Sequence, residues 1–470
     1  MTTLIGRDSE ISQLEHCYNS GRPEFVVVYG RRRIGKTFLV REFFDNKFAF
    51  SFVGGHNEST QMQIQRFAYA LQEQFKQAIL PKLETWIDAL HTLSRLLESL
   101  PGNERKVIFL DEMPWMDMPK SRFMTALEIF WNSWASARDD IMLVACGSAT
   151  SWVIEKILNN VGGLYGRVTR QIYLRPFTLK ECEQLIKAKH GQWDRYQITQ
   201  AYMALGGVPF YFDMLDVNQS LAQNIDHLFF ANGARLASEF EQLYATLFKY
   251  PDNHIAVAKA LAEHPGGLTR KQISSYTKLE GGGLTKVLNN LKKCDMIDDF
   301  NQFHSKTQAV YHLIDLYSLF YFKFVENNNI KDQKYWTHHI NTPPIYNWQG
   351  HAFETVALRH IEEIKSKLGI SGVATACYAW HNKEAQIDLV IERADRVINL
   401  CEMKFARQQF EITKEYAEKL RNRMGAFLSS TKTRYGIILT FVTTFGVVKS
   451  MYGYMAQSEV TLDDLFESPK

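Results

Sequence analysis

The segment Gly30-Arg31-Arg32-Arg33-Ile34-Gly35-Lys36-Thr37 has the residue types and spacing of a phosphate-binding loop. A glycine-bounded loop that ends in Lys-Thr can turn successive backbone N–H groups toward one anion. Gly30 and Gly35 let the backbone approach phosphates. Lys36 is expected at the β- and γ-phosphates of ATP, and the Thr37 hydroxyl on Mg²⁺. A second segment, Val107-Ile108-Phe109-Leu110-Asp111-Glu112, is an apolar run ending in two acids. Asp111 would hold Mg²⁺ through water, and Glu112 would polarise the attacking water. The other reading of this pair is a cap on a strand at a surface turn. Ser148, after a further apolar run, would sense the γ-phosphate or cap the next helix. Arg167 and Arg170 supply either a transition-state arginine or surface charge. Arg31, Arg32 and Arg33 would point out to a partner or DNA phosphate, or be solvated.

A second constellation lies far along the chain, in Gln386-Ile387-Asp388-Leu389-Val390 and Leu400-Cys401-Glu402-Met403-Lys404. A hairpin turning at Ala394-Asp395-Arg396 places Asp388 opposite Glu402. Strand alternation puts Lys404 on the face of Glu402. Opposed carboxylates repel unless something compensates them, and a divalent metal would. Glu354 sits at the edge of a helix over 349–368, beside the stripe Phe353, Val356, Ala357, Ile364 and Leu368, so it could reach over the sheet. The alternative is a salt-bridged Glu-x-Lys on an exposed strand.

The elements that must position these residues follow from hydrophobic patterning. Glu24–Tyr29, Val107–Leu110, Ile141–Ala145 and Gln171–Leu174 are continuous apolar runs, with a helix over 61–79 and another opening at Thr37. Such runs separated by helices predict a parallel sheet covered on both faces. Residues 177–250 read as helical. Helices over 254–263, 269–278 and 282–293 precede a strand at Ala309–Ile314, the order of a winged helix-turn-helix. Its basic residues are Arg270, Lys271, Lys278, Lys286, Lys292 and Lys293, which would meet DNA or serve a protein partner. Turn formers from Asn327 and Asn329 to Pro344 suggest a linker. The last α/β unit has strands at Gln386–Ile391, Val397–Phe405 and Tyr435–Thr440, and a helix over 411–424.

Bulk properties narrow the function classes. A net charge of +3, from 54 basic and 51 acidic residues, leaves any nucleic-acid contact to a local patch. Six scattered cysteines without a C-x-x-C pair argue against a zinc site and a disulfide framework. No secretory signal or membrane-spanning run is legible, so a cytoplasmic location is expected.

Residues 4–325 resemble a family of prokaryotic AAA+-like, STAND-related ATPases described mostly from archaea. The resemblance rests on Ile5-Gly6-Arg7-Asp8-Ser9-Glu10-Ile11, the Gly30–Thr37 P-loop, Leu110-Asp111-Glu112, Cys146-Gly147-Ser148, Leu164-Tyr165-Gly166-Arg167, Arg175-Pro176-Phe177 and Gly206-Gly207-Val208-Pro209. It implies ATP binding, slow hydrolysis and a switch role, with Gly207-Val208-Pro209 in a helical lid touching the nucleotide base. A helix Glu, a strand Asp and a Glu-x-Lys resemble the PD-(D/E)xK nuclease superfamily, with Ile387 standing where proline would be. That resemblance implies Mg²⁺ on Asp388 and Glu402, Lys404 positioning or deprotonating the attacking water, and Glu354 completing the site.

The expected architecture is therefore α/β: a P-loop ATPase core over 1–176, a helical lid over 177–250, a winged helix over 251–326 and a restriction-endonuclease-like domain over 345–456. ATP state would gate a metal-dependent DNA nuclease. The alternative is a non-nucleolytic ATP-dependent switch that binds a protein or DNA partner. An ATP-driven translocase is a third reading, and an oligomer is compatible with all of them.

Overall fold

Continuous rather than alternating apolar runs suit strands covered on both faces, and such runs dominate the first sheet. β1 (Glu24–Tyr29), β2 (Phe50–Val53), β3 (Lys106–Asp111), β4 (Ile141–Gly147) and β5 (Arg170–Tyr173) form a parallel sheet in the order β2-β3-β4-β1-β5. β4 thus lies between the strand that leads into the loop and the strand that carries the acids. The two faces have separate cores, one around Phe50, Phe67, Trp86 and Phe123, the other around Val26, Val28, Leu39 and Phe109. β2 was not foreseen in the sequence.

The computed structural model describes residues 4–77, 79–101, 104–148, 150–159, 162–248, 250–303, 309–326, 328, 332–382 and 385–469. Asn327 and Asn329, read above as turn formers, lie outside the described residues. The chain divides into two compact units, Met1–Arg175 and Pro176–Lys470. None of the helices among the described residues is long and apolar enough to cross a membrane.

The second unit begins with helices, among them Leu179–Ala188 and Arg195–Leu205. Helices Pro251–Ala262, Arg270–Thr277 and Gly281–Lys293 then precede a small antiparallel sheet. Its strands, β6 (Leu268–Thr269), β7 (Ile297–Asn301) and β8 (Ala309–Leu313), lie in the order β6-β8-β7. A mixed sheet follows, β9 (Thr375–His381), β10 (Gln386–Arg393), β11 (Val397–Lys404), β12 (Gly436–Thr443) and β13 (Ser458–Thr461), in the order β13-β12-β11-β10-β9. It runs past residue 456, where the sequence reading stopped.

The helix expected over 349–368 is two helices, Pro343–Arg359 and Ile361–Lys367, broken at His360. The break has a use: buried His360 accepts the Leu179 N–H at Nε2 (3.1 Å), and its Nδ1 meets the Val356 carbonyl (2.7 Å). The ranges read as lid, winged helix and terminal domain contribute to one continuous core, from Leu179 through Leu291 and Phe353 to Phe466. Arg195 adds ion pairs to Asp463 (3.1 Å) and Glu467 (3.6 Å), and Tyr196 stacks on Phe405. Helices Leu179–Ala188 and Arg195–Leu205 and the carboxylate-bearing sheet thus share one core.

Candidate functional site

In the first unit, β1 ends at Tyr29 and the loop turns into helix Lys36–Phe43. Gly35 caps that helix at φ 85°, with no side-chain hydrogen bond to its first turn. An N-terminus built this way directs backbone N–H groups and the helix dipole at an anion. Gly30 has a different reason to be glycine: a Cβ there would lie 2.4 Å from the Leu174 carbonyl oxygen. It makes room for the neighbouring chain, whereas Gly35 has open space around it and supplies the left-handed turn.

The loop and the acids meet as the sequence pattern requires. The Thr37 hydroxyl donates to Asp111 Oδ2 at 2.8 Å. Two hard oxygens at this spacing fit Mg²⁺, with threonine bound directly and aspartate through water. Lys36, buried to 6% exposure, donates to the Arg31 carbonyl (2.8 Å). Ser148 stands at the end of β4, between loop and acids. Its hydroxyl donates to Glu112 Oε2 at 2.8 Å and its N–H to the same oxygen at 3.2 Å. Ser148 therefore fixes the Glu112 carboxylate, a partner that the sequence reading did not assign to it.

Two expectations are corrected here. Arg31 is 1% exposed and belongs to the interior, so only Arg32 and Arg33 of the triple remain partly exposed. Arg170 pairs in register with Val26, near the start of β1, and lies beside Cys17; the loop leaves the other end of that strand. Arg167 is exposed on a turn. Neither arginine joins Lys36, Asp111 and Glu112 in this unit. A residue that the spacing did not single out does brace the loop: Arg7, buried in the left-handed conformation, donates to the Ile34 carbonyl (3.2 Å). Ile34 itself is buried. Pro209 opens helix Pro209–Asp213 in the second unit, after Gly206 and Gly207 at φ 69° and 66°.

In the second unit, β10 pairs with β11 from Leu389–Cys401 to Glu392–Ile398. The next position in this register sets Asp388 opposite Glu402. A bulge between Ile387 and Val390 interrupts the pairing of β10 with β9, and bulges commonly re-aim a side chain. Asp388 lines a cavity of about 770 Å³ together with Glu354, His351 and Gln386. Burial, with the Glu354 and Glu402 carboxylates nearby, pushes its pKa up to about 7. A cation would relieve that cost.

Glu402 is buried and clamped. Oε1 accepts from Tyr416, from Lys404 (2.7 Å) and from Arg423 (3.0 Å), and Oε2 accepts from Arg423 (2.8 Å). Burial works to raise its pKa, but Lys404 and Arg423 outweigh it and hold the carboxylate below its ordinary range. Burial likewise opposes charge on Lys404, and Glu402 overcomes that, so its pKa is raised. A lysine paired in this way stands as an ammonium beside Glu402, a form that suits positioning water or phosphate. Tyr416 and Arg423 went unnoticed in the sequence. Their signal was a spacing of two helical turns on one face of helix Lys414–Thr431, whose stripe is Ala417, Leu420 and Phe427.

Among the described residues, no group of three or more His, Cys, Asp or Glu side chains is arranged to hold a metal. The donor set still suits a hard cation: among the described residues Asp388 accepts a hydrogen bond from Gln386 (3.0 Å), and Glu402 Oε2 keeps a lone pair beyond its bond to Arg423. The basic residues of the three-helix module are partly committed. Arg270 donates to the Gly281 carbonyl and the Thr285 hydroxyl (2.8 Å each), and Lys292 is paired with Asp299. Lys271, Lys278 and Lys286 are exposed.

Residues 4–215 match a family described as an ATPase domain predominantly from Archaea. An uncharacterized protein of Methanocaldococcus jannaschii is 22% identical over 447 residues, 93% of this chain and 95% of that protein. An uncharacterized ATP-binding protein of the same organism is 40% identical over 44 residues, 9% of this chain and 75% of that protein. Among solved structures, a Walker-type ATPase of Pyrococcus abyssi shares the fold at a TM-score of 0.50 and 17% identity, over 68% of this chain and 96% of that one. The loop and its threonine–aspartate bond agree with this match: residues 4–215 carry an ATPase domain of the kind found predominantly in Archaea.

Proposed function

We propose that the chain hydrolyses ATP with Mg²⁺ and that its ATP state gates a metal-dependent DNA nuclease in residues 345–456. In the ATPase domain, Lys36 meets the β- and γ-phosphates, Thr37 and Asp111 hold Mg²⁺, and Glu112, fixed by Ser148, orients the attacking water. Residues 251–326 act as a winged helix that contacts DNA or a protein partner through Lys271, Lys278 and Lys286.

What supports the nuclease reading is the β10–β11 pairing from Leu389–Cys401 to Glu392–Ile398, which, continued by one residue, brings Asp388 to Glu402, with Lys404 ion-paired to Glu402. Asp388 and Glu402 would hold Mg²⁺, and Glu354 completes the site. When bound, the metal supplies a hydroxide nucleophile and offsets charge on the scissile phosphate. Lys404 orients that nucleophile as a fixed cation. Within the second unit, the Leu179–His360 and Arg195–Asp463 contacts tie helices Leu179–Ala188 and Arg195–Leu205 to the segments that flank the carboxylate-bearing sheet, so a movement of those helices would be felt there.

A second reading, a switch without cleavage, is favoured by the Glu402 clamp, which satisfies that carboxylate with protein donors alone. The experiment that separates the two is cleavage of supercoiled, linear and single-stranded DNA with Mg²⁺ or Mn²⁺, with and without ATP. Cutting lost in Asp388→Ala, and responsive to ATP only with Lys36 intact, supports the gated nuclease. A folded, ATP-binding protein that cuts nothing leaves the switch.

A further inference from the structure

The end of β11 carries a feature that the carboxylate chemistry does not use. Phe405 and Arg407 follow Lys404 as the strand ends. Phe405 packs on buried Phe353 and stacks on Tyr196, with ring centroids 4.8 Å apart and planes 11° apart. Tyr196 also stacks on Phe445, at 5.9 Å and 17°. Phe405, Tyr196 and Phe445 thus form one column, and Phe445 ends it, still 44% exposed. Among the described residues, Tyr196 is the ring that covers Phe445. The turn that carries Phe445 is tied to the end of β11. The Ala406 N–H donates to the Thr444 hydroxyl (2.8 Å), and the Gly446 N–H to the Thr443 hydroxyl (2.8 Å). Gly446 turns the chain at φ 84° directly after Phe445.

Arg407 lies beside the hydroxyl of the same Tyr196. Its guanidinium stands 4.6 Å over the Tyr346 ring and donates to Asn341 Oδ1 (2.6 Å). Both partners are uncharged, and among the described residues exposed Arg407 makes no ion pair. The acids around Tyr196 are committed elsewhere. Asp194 caps its own helix through the Gln197 N–H (2.7 Å), and Asp463 and Glu467 pair with Arg195. A planar cation that is oriented but not neutralised suits an anion able to take parallel hydrogen bonds, and phosphate is one. An open aromatic face and this guanidinium, both against Tyr196, match the two contacts a nucleotide offers: a base to stack and a phosphate to pair. Lys404 and Glu402 stand next to them in the chain, which favours a nucleic-acid strand over a protein segment as the occupant.

We infer that Phe445 and Arg407 hold one nucleotide of a nucleic-acid substrate, its base on the Phe445 ring and its phosphate on Arg407. The choice of nucleic acid rests on the nuclease reading, and the test keeps the two apart. Binding is measured without metal, on the full-length Asp388→Asn protein, by fluorescence anisotropy of a fluorescein-labelled single strand. A matching strand of abasic residues keeps the phosphates and lacks the bases. Phe445→Leu, which keeps an apolar side chain but no ring, should weaken the base-bearing strand ~tenfold and leave the abasic strand unchanged. Phe445→Trp should restore the lost binding. Arg407→Met should weaken both strands and flatten the salt dependence by about 0.7 in the slope of log K on log salt, the value of one phosphate contact. Both side chains are exposed, so the melting temperatures should stay near the parent's.

Binding indifferent to Phe445→Leu and Arg407→Met overturns the inference, as does a protein that binds neither strand. Equal losses for the base-bearing and abasic strands in Phe445→Leu overturn it too, because the ring would then serve no base. If those variants bind like the parent and Asp388-dependent cutting persists, the inference fails and the nuclease reading stands. Binding that depends on base, ring and Arg407, in a protein that cuts nothing, supports the inference and removes the nuclease reading.

Discussion

The phosphate loop and the carboxylate pocket reach their geometry by different routes. The loop is a short continuous segment whose anion site is made by backbone, and its side chains add a cation and a hydroxyl. The carboxylate site draws on Glu354 and Asp388, which line the cavity, and on Glu402 and Lys404 near Asp388, with Tyr416 and Arg423 from a second helix against Glu402. In the first region, chemistry and folding are separable, because few of the functional side chains hold anything up. In the second they are not, because the same ions that would serve a reaction also neutralise buried charge.

The sharpest test of that contrast is Lys36→Ala. It should lower ATP turnover by ~1000-fold or more, about 4 kcal/mol at the transition state, while the thermal melt of the protein without nucleotide barely moves. Phosphate release and calorimetry on the same sample check both halves. A large fall in melting temperature would break the contrast, since it would make Lys36 a structural residue of the loop.

The next effect belongs to the seam where helix Leu179–Ala188 meets the break between helices Pro343–Arg359 and Ile361–Lys367. Burial holds His360 down, from an ordinary value near 6.5 to about 4. Between those values the unfolded chain binds a proton that the native seam refuses. Stability therefore falls as pH drops through this window, by up to about 3 kcal/mol. Glu363, three residues on, is raised by burial from about 4.5 to about 7. Here the native state keeps a proton that the unfolded chain has lost, so this contribution is present below 4.5 and fades as pH rises to 7. Glu363→Gln should gain stability over the parent as pH rises through that range. His360→Gln should lose stability at pH near 8 and lose less as pH falls. Urea melts across the range decide both, and parallel curves for all three proteins would refute the seam.

How far each region was legible from sequence follows the same division. The loop, β1 and the acids at the end of β3 were legible because a demanding pattern and continuous apolar strands act locally. The Asp388–Glu402 register was also legible, because a hairpin about a short turn leaves little freedom. The clamp was not: Tyr416 and Arg423 look like ordinary helix surface until the helix packs over β11. β9, Thr375-Ala-Cys-Tyr-Ala-Trp-His381, has little of the β-branched alternation that marks a strand, and its place is set by pairing with β10. The break at His360 was hidden for a similar reason, since a tertiary hydrogen bond to Leu179, not a Pro or Gly, accompanies it. Arg31 was misplaced because burial of a charged side chain has no sequence signature.

Arg423→Met probes the clamp directly. It leaves Glu402 buried with Lys404 and Tyr416 as partners, so it should cost about 1–2 kcal/mol, less than for a lone buried charge because Lys404 stays. Chemical denaturation measures this. An Arg41→Met control in the first unit, where Arg41 makes an exposed hydrogen bond to Asn46 (3.3 Å), should change stability by at most about 0.5 kcal/mol. Equal losses would mean that the two regions are held in the same way.

A small effect on turnover is expected at Ser148, and it tests whether the ATPase site is built mainly from backbone. Ser148 makes two hydrogen bonds to Glu112 Oε2, one from its hydroxyl and one from its backbone N–H. Ser148→Ala removes the first and leaves the second, so Glu112 should stay close to its place. ATP turnover should fall by only ~3–10-fold, about 1 kcal/mol, with little change in the KM for ATP. Glu112→Gln, which keeps the shape but not the charge, should fall far further. If Ser148→Ala were as damaging as Glu112→Gln, the hydroxyl would have to act on the nucleotide itself, and the γ-phosphate-sensing role would replace that of a carboxylate support.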